Sequence, residues 1–468
     1  MLSAAPALAP LLGILAPFVP SSVEAPRFIR FEDARPVVEA LREALPAGLA
    51  GLPDDRLAAA WPAWVRERDR AVRERLVRGE EDAVVNLLFF GTSFTRAPRL
   101  TTAGLGRTGA GPAEEAVAGR LRDLAGALAR PGGDERLQLA RSVFERQRPG
   151  ESVADRAAVE SWLLDAVARV RREQAAFAAE LVEVRALPDA TSQLAARSTL
   201  FRDRGIALDT SLRPAFALEE ALHDALERGL LTAGSVRRVA VVGPGLDFVE
   251  KSEGQDFYPP QSMQSLALAD SLVRLGLSRP GSLSITAFDI SPRVLDHLER
   301  ARTRAAAGDG YVLQLPRPSE GWVPPFVAFW QRLGGGIAEP VEAVKPPPSA
   351  GPLAVRAVRA RPDLAGAVHP VDLNVVYQRL DLPADGLFDL VVATNVLVYY
   401  DTFEQCLALA NVARMTAVGG LLLSNSVLLE LPGSALRSVG YKTVVFSDQP
   451  DDGEHVIFYR RLPDPPTR

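Results

Sequence analysis

A single cysteine, Cys406, is all that this chain of 468 residues contains. No intrachain disulfide can form, and there is no cysteine cluster to hold zinc or an iron–sulfur centre. Histidine is also scarce. His223, His297, His369 and His455 are scattered without the i, i+4 spacing that sets two metal ligands on one helix face, so no metal site is expected. No stretch reaches the roughly 20 apolar residues of a transmembrane helix, so no stable membrane insertion is expected. Positive charge is not in excess either. With 53 Lys and Arg against 58 Asp and Glu, net charge −5, there is no bulk attraction for nucleic acid, and a polynucleotide partner is not expected.

What is present is an ordinary globular composition, 47% hydrophobic, long enough for more than one core. The chain opens with "MLSAAPALAPLLGILAPFVPSSVEAP". Residues 1–26 read as a signal peptide or a disordered start: Leu8 to Val19 is apolar, but no Lys or Arg precedes it and prolines interrupt it. The expected compartment is the cytoplasm, with export the alternative if residues 1–25 are cleaved.

From 27 to about 230, apolar residues recur three and four apart, which predicts a mainly helical domain. The sign-alternating Arg/Glu run from Arg66 to Arg75 reads as a solvated helix face. After 231 the pattern changes. Beta-branched runs at "RVAVVG", "LSITAFD", "DLNVVYQRL", "FDLVVATNVLVYY" and "GGLLLSNSVL" alternate mostly with helical segments, which predicts a parallel sheet covered on both faces. A Pro/Gly/Trp-rich insertion at about 308–370 reads as a lid or binding loop. In it Trp322, Phe326, Phe329 and Trp330 are spaced as one helical face, the core of such a lid first and a substrate wall second. "YKTVVFSDQ" and "EHVIFYRR" predict an antiparallel hairpin at the end of the sheet.

In an open parallel sheet, ligands bind at the carboxyl ends of the strands. Gly243 and Gly245 stand there, around Pro244, where positive φ and close ligand approach are available. Such a pair also serves as a plain structural turn. The second strand adds Asp289 at its tip, before Ser291 and Pro292, an N-cap and first-turn pair. An acid in that position accepts hydrogen bonds from the hydroxyls of a ribose, so a nucleoside-containing cofactor is expected.

A dinucleotide would need its pyrophosphate seated on a helix that opens directly after the glycines. Here the third glycine position is Phe248, Asp247 and Glu250 would repel a phosphate, and the next helical pattern begins only after Pro260. Carboxylates suit a sulfonium or an ammonium. The cofactor expected is therefore S-adenosyl-L-methionine, with NAD and an oxidoreductase as the lesser alternative.

At these residues the chain resembles the class I S-adenosylmethionine-dependent methyltransferases. "VAVVGPG" looks like their glycine motif, "AFDIS", with Asp289 and Ile290, like their ribose-binding acid, and the terminal hairpin like their antiparallel seventh strand. The post-strand-four segment is most similar to the chemotaxis-receptor methyltransferases at Asn395, Val396, Leu397 and Tyr399, and Asp401 with Glu404 then reads as a capping box. The resemblance implies an α/β, Rossmann-like class I methyltransferase sheet from 231 to 468, preceded by the helical domain. It also implies methyl transfer to an acceptor, a small molecule or a protein, that the sequence does not name.

The cofactor-binding residues expected are Gly243, Gly245, Asp247, Asp289, Ile290, Asp381 and Asn395. Asp381 is included because the superfamily often sets a polar group for the adenine amine after the third strand. The acid that this superfamily usually carries two positions before the first glycine is Val241 here, and Asp247 or Glu250 would substitute for it. Asn395, Tyr399 and Tyr258 are the catalytic candidates, Tyr400 and Asp256 lie near the same places, and loop-tying or packing roles are the alternatives. A protein that kept the fold and lost turnover is the rival reading, favoured by Val241.

Overall fold

The computed structural model describes residues 25–100, 112–187, 196, 200–201, 204–207, 209–249, 254–449 and 452–463. Glu250 and all but the last two residues of the candidate signal segment lie outside them.

The chain enters through a two-residue strand, β1 (Arg27–Phe28), and a helix, α1 (Phe31–Ala40). A long helix, α2 (Asp54–Phe90), follows, then α3 (Pro112–Leu128), α4 (Glu135–Gln147), α5 (Arg156–Arg185) and α6 (Leu212–Glu227). Asp134 and Asp155 cap α4 and α5, each accepting from two backbone N–H groups of the first turn.

The sheet starts at β2 (Arg238–Val242), an apolar run buried along nearly its whole length, as a central parallel strand requires. Helix α7 (Gln264–Arg274), β3 (Ser284–Asp289) and α8 (Pro292–Ala306) come next. The insertion then forms β4 (Tyr311–Pro318), α9 (Pro324–Arg332), β5 (Ala338–Val341) and β6 (Leu353–Ala360), its strands paired antiparallel in the order β4-β6-β5. After the short α10 (Pro362–Ala365) come β7 (Val368–Asp372), β8 (Gln378–Arg379) and β9 (Phe388–Ala393). Helix α11 (Thr402–Met415), β10 (Thr416–Ser424), β11 (Leu436–Val445) and β12 (Gly453–Arg461) complete the fold. The seven-stranded order is β11-β12-β10-β9-β2-β3-β7, parallel except where β12 runs antiparallel between β10 and β11.

Three expectations are corrected, and one proposed boundary is crossed by a shared core. The third strand is "VHPVD" at β7, not "DLNVVYQRL". Val375, Val376 and Tyr377 turn away to pack with α2 and α11, and β8 pairs with β1 instead. The insertion is not a lid: the Phe326 ring stacks on Phe216 of α6 at 4.7 Å and belongs, with Phe329, to the core under one face of the sheet. The boundary near residue 230 does not coincide with a division between cores. Trp61, Trp64 and Val65 of α2 share a cluster with Val242 and Val391 of the sheet, whereas the second half of α2 packs with α3 to α5. Finally, the Arg66–Arg75 run is no simple solvated face. Arg68 reaches the buried Glu404 at 2.7 Å, Asp69 accepts from Asn374 at 2.9 Å, and Arg73 pairs with Asp372 at 2.8 Å.

Among the described residues, no helix is long and apolar enough to cross a membrane.

Candidate functional site

The glycine turn leaves β2 with Gly243 at φ +66° and Gly245 at φ +64°, a region in which an L-residue is strained by about 1–2 kcal/mol. Space is short as well. A Cβ built on Gly243 would lie 2.5 Å from Cγ2 of Val396, and its N–H is committed to the Phe288 carbonyl at 2.8 Å. The turn forms one wall of a cleft of about 970 Å³, counting its open mouth.

Asp289 lies on the same cleft at the tip of β3, with Ile290 beside it. Its Oδ1 accepts from the Ser291 N–H at 2.8 Å. Burial pushes its pKa up to about 6, although the backbone N–H groups of Ser291, Gly245 and Ile290 pull the other way. Ser291 does stand before Pro292 at the start of α8, but its side chain makes no cap bond.

The third wall comes from upstream of the sheet. Asp209 pairs with Leu246 in a parallel bridge, and Thr210 N–H donates to the Leu246 carbonyl at 3.2 Å, so this segment is laid alongside the glycine turn. Asp209 itself accepts from Val249 N–H at 3.2 Å and from Asn86 Nδ2 at 3.3 Å, and it faces the cleft with Thr210 and Ser211. Arg75 ties this wall to the fourth, donating to the carbonyls of Phe201, Arg204 and Tyr399 at 2.8, 3.0 and 3.0 Å.

That fourth wall follows β9. Asn395, Tyr399 and Tyr400 line it with Asn374. The Tyr399 hydroxyl accepts from Ala207 N–H at 3.3 Å and burial pushes its pKa up; the Tyr400 hydroxyl donates to Asn374 Oδ1 at 3.4 Å. The Asp401/Glu404 capping box is formed as expected and starts α11 just behind them.

Gly243, Gly245, Asp289, Ile290, Asn395, Tyr399 and Tyr400 thus meet at one cleft. Asp247, Tyr258 and Asp381 do not line it. Arg136 explains the first two: its guanidinium donates to the carbonyls of Asp247 at 2.8 Å and Gln255 at 3.1 Å, and to those of Phe248 and Tyr258, pulling the loop toward α4. Asp247 is buried there, accepting from the Tyr258 hydroxyl at 2.6 Å and from Gln261 Nε2 at 3.1 Å. Asp256 is spent on the Thr92 and Ser93 N–H groups, at 2.7 and 2.8 Å. Asp381 pairs with Arg27 and lies 3.6 Å from Arg379, because the segment after β7 turns back toward β1. Val241 is buried within β2.

Sequence reasoning misses Asp209, Asn374, and Gln264, whose Nε2 donates to Thr394 Oγ1 at 2.6 Å beside the turn. The only sequence signal for Asp209 is the run Asp209-Thr210-Ser211 ahead of a helix, which reads as capping.

The strand order with its single antiparallel β12, the glycine turn on the central strand and the acid at the tip of its neighbour make one recognisable arrangement. The fold is that of the class I S-adenosylmethionine-dependent methyltransferases. Solved structures similar to the chain include the mitomycin 7-O-methyltransferase MmcR, 13% identical over 88% of this chain and 100% of that one, with a TM-score of 0.30. An O-methyltransferase family protein from Burkholderia thailandensis is 13% identical over 88% and 99%, with a TM-score of 0.23. The glycopeptide N-methyltransferase MtfA complexed with sinefungin is 14% identical over 55% and 70%, with a TM-score of 0.21. Likenesses this distant say nothing about the acceptor. No protein-family model matches the sequence, and the search of curated proteins found no match.

Proposed function

We propose that the chain is an S-adenosylmethionine-dependent methyltransferase acting on a small-molecule or protein acceptor. One observation carries the reading: the positive-φ glycine turn, Asp289 and Asp209 border a single cleft whose described lining includes no Lys, Arg or His. Carboxylates on such a wall suit a ligand with a sulfonium and an ammonium and would repel a pyrophosphate. The first helix after the glycines starts only at Gln264, which also counts against a dinucleotide.

In this reading Gly243 and Gly245 let the cofactor approach the backbone, Asp289 accepts from its ribose hydroxyls, and Ile290 lies against the adenine. Asp209 takes the ammonium that the buried Val241 cannot. The bound cofactor supplies an electrophilic methyl carbon. The chain's own part is to orient the acceptor and exclude water, with Asn395 and Tyr399 at the acceptor's entry. The likeness of this stretch to chemotaxis-receptor methyltransferases supports that placement and not a receptor substrate.

Calorimetric titration of S-adenosylmethionine and S-adenosylhomocysteine into the protein and its Asp289→Ala variant is the test. Loss of hydrogen bonds to a charged acceptor should weaken binding by about 2–4 kcal/mol, roughly 30- to 1,000-fold. Absence of heat with both ligands in the unmodified protein would sink the reading. It would favour the second one, a fold retained for another binding role, for which the buried Val241 speaks.

A further inference from the structure

A second cavity, of about 850 Å³ counting its mouth, lies between α1, α11 and the loop that follows β10, and shares no lining residue with the cofactor cleft. Its walls are apolar, with Val37, Leu409, Leu429 and Leu431 among them. Arg379 and Arg461, both buried, reach it from β8 and β12, and the more exposed Arg414 stands at its border.

Among the described lining residues Asp33 is the one acid, and it is already shared between arginines. It accepts from Arg379 Nη2 at 2.6 Å and from Arg30 Nε at 3.4 Å, and it lies 3.7 Å from Arg414. Burial pushes the Asp33 carboxyl up, but Arg379 and Arg30 outweigh that and hold it below the usual carboxylate range. Arg379 Nε faces Asp381 at 3.6 Å. Its Nη1 is buried with no hydrogen-bond partner. An orphaned donor on a permanently charged group is costly to bury, and a ligand that supplies an anionic acceptor offsets that cost.

We infer that this cavity is a ligand site for a small amphipathic carboxylate, separate from the cofactor cleft. The carboxylate oxygens accept from Arg379 and Arg414, for which a guanidinium is geometrically suited, and the hydrocarbon body fills the space between Val37 and the leucines. A neutral molecule of the same shape would offer the buried Arg379 Nη1 no charged acceptor.

The test titrates decanoate, and separately 1-decanol, into the full chain at pH 7, with S-adenosylhomocysteine titrated in the same samples. Decanoate should bind at least tenfold tighter than decanol. Arg414→Ala at the rim should weaken decanoate at least threefold. Ala410→Trp, which places an indole in the cavity, should abolish decanoate binding, and both variants should keep the unmodified protein's response to S-adenosylhomocysteine. No heat from decanoate at millimolar concentration, equal binding of the alcohol, or retention of decanoate by a folded Ala410→Trp protein would each overturn the inference. Thermal melts identify a variant that has merely unfolded, in which case Arg414→Ala still decides. The parallel titration separates failure of this site from failure of the cofactor reading.

Discussion

Asn425 grips Asn395 through both ends of its amide: its Oδ1 accepts from the Asn395 N–H at 2.9 Å and its Nδ2 donates to Asn395 Oδ1 at 2.6 Å. Among the described residues Asn395, at φ +59°, is the one non-glycine in the left-handed region. Asparagine tolerates that conformation better than other L-residues, and the amide pair offsets what strain remains. Glu454 holds Asn425 in turn by accepting from the same Nδ2. Asn395→Ala should therefore be less stable than Asn395→Gly by about 1 kcal/mol, because glycine alone escapes the φ penalty. Denaturant melts of the two variants decide this; equal stability would mean that the left-handed turn relaxes once the asparagine is gone.

Gly79 sits inside α2, where helix propensity alone favours alanine by about 1 kcal/mol. Packing reverses the sign. A Cβ on Gly79 would fall 1.7 Å from the carbonyl oxygen of Ile206, backbone that cannot give way without moving Ile206 and Ala207 at the cleft. Gly79→Ala should lower the melting temperature and weaken S-adenosylhomocysteine. Gly119→Ala in α3, where nothing lies within 4 Å of the added carbon, should instead raise stability by up to about 1 kcal/mol. A stabilised Gly79→Ala protein would contradict the close approach.

Asp209 offers a way to separate the two ends of the cofactor. If its carboxylate faces the ammonium, Asp209→Asn should weaken S-adenosylmethionine about tenfold, the worth of one charge-assisted contact at roughly 1.4 kcal/mol. It should leave 5′-methylthioadenosine, which lacks the amino-acid part, unchanged. Asp289→Ala should weaken both. Equal losses for the two ligands in Asp209→Asn would show that Asp209 acts only by holding its own segment against Leu246.

The sheet is legible in the sequence because central parallel strands are buried on both faces and appear as continuous apolar runs, "RVAVV" and "FDLVVA" above all. The third strand is not. "VHPVD" interrupts its apolar pattern with His369 and Pro370, while the more strand-like Val375, Val376 and Tyr377 are buried by packing against helices. The alternating charges of α2 hide their partners in the same way. Nothing local distinguishes a solvated Arg68 from one that pairs with Glu404, 336 positions away. Gly243, Asp289 and Asn395 can be read because a backbone turn or a strand tip carries them. Asp209 cannot, because it reaches the cleft through its pairing with Leu246, and Asp247 misleads because Arg136, far upstream, turns its loop away.

If Asp289 holds the ribose as proposed, it makes both stability and cofactor affinity depend on pH, with opposite signs. Burial lifts its pKa from 3.8 to about 6, and the neighbouring charge of Asp372 adds to the lift. A carboxyl raised in the folded state contributes stability that is fully present below pH 3.8 and is lost as pH rises through about 6. The change from this group is on the order of 3 kcal/mol. Ribose hydroxyls donate to the ionised form, so binding favours the carboxylate, and affinity should climb with pH up to about 6 and level off above it. S-adenosylhomocysteine should bind about tenfold more weakly at pH 5 than at pH 7. In Asp289→Asn, affinity should be low and flat across that interval. Calorimetry at pH 5, 6 and 7 on both proteins checks the slope. An unmodified protein whose affinity does not change between pH 5 and 7 would mean that Asp289 is already ionised at pH 5, or that it does not touch the ligand.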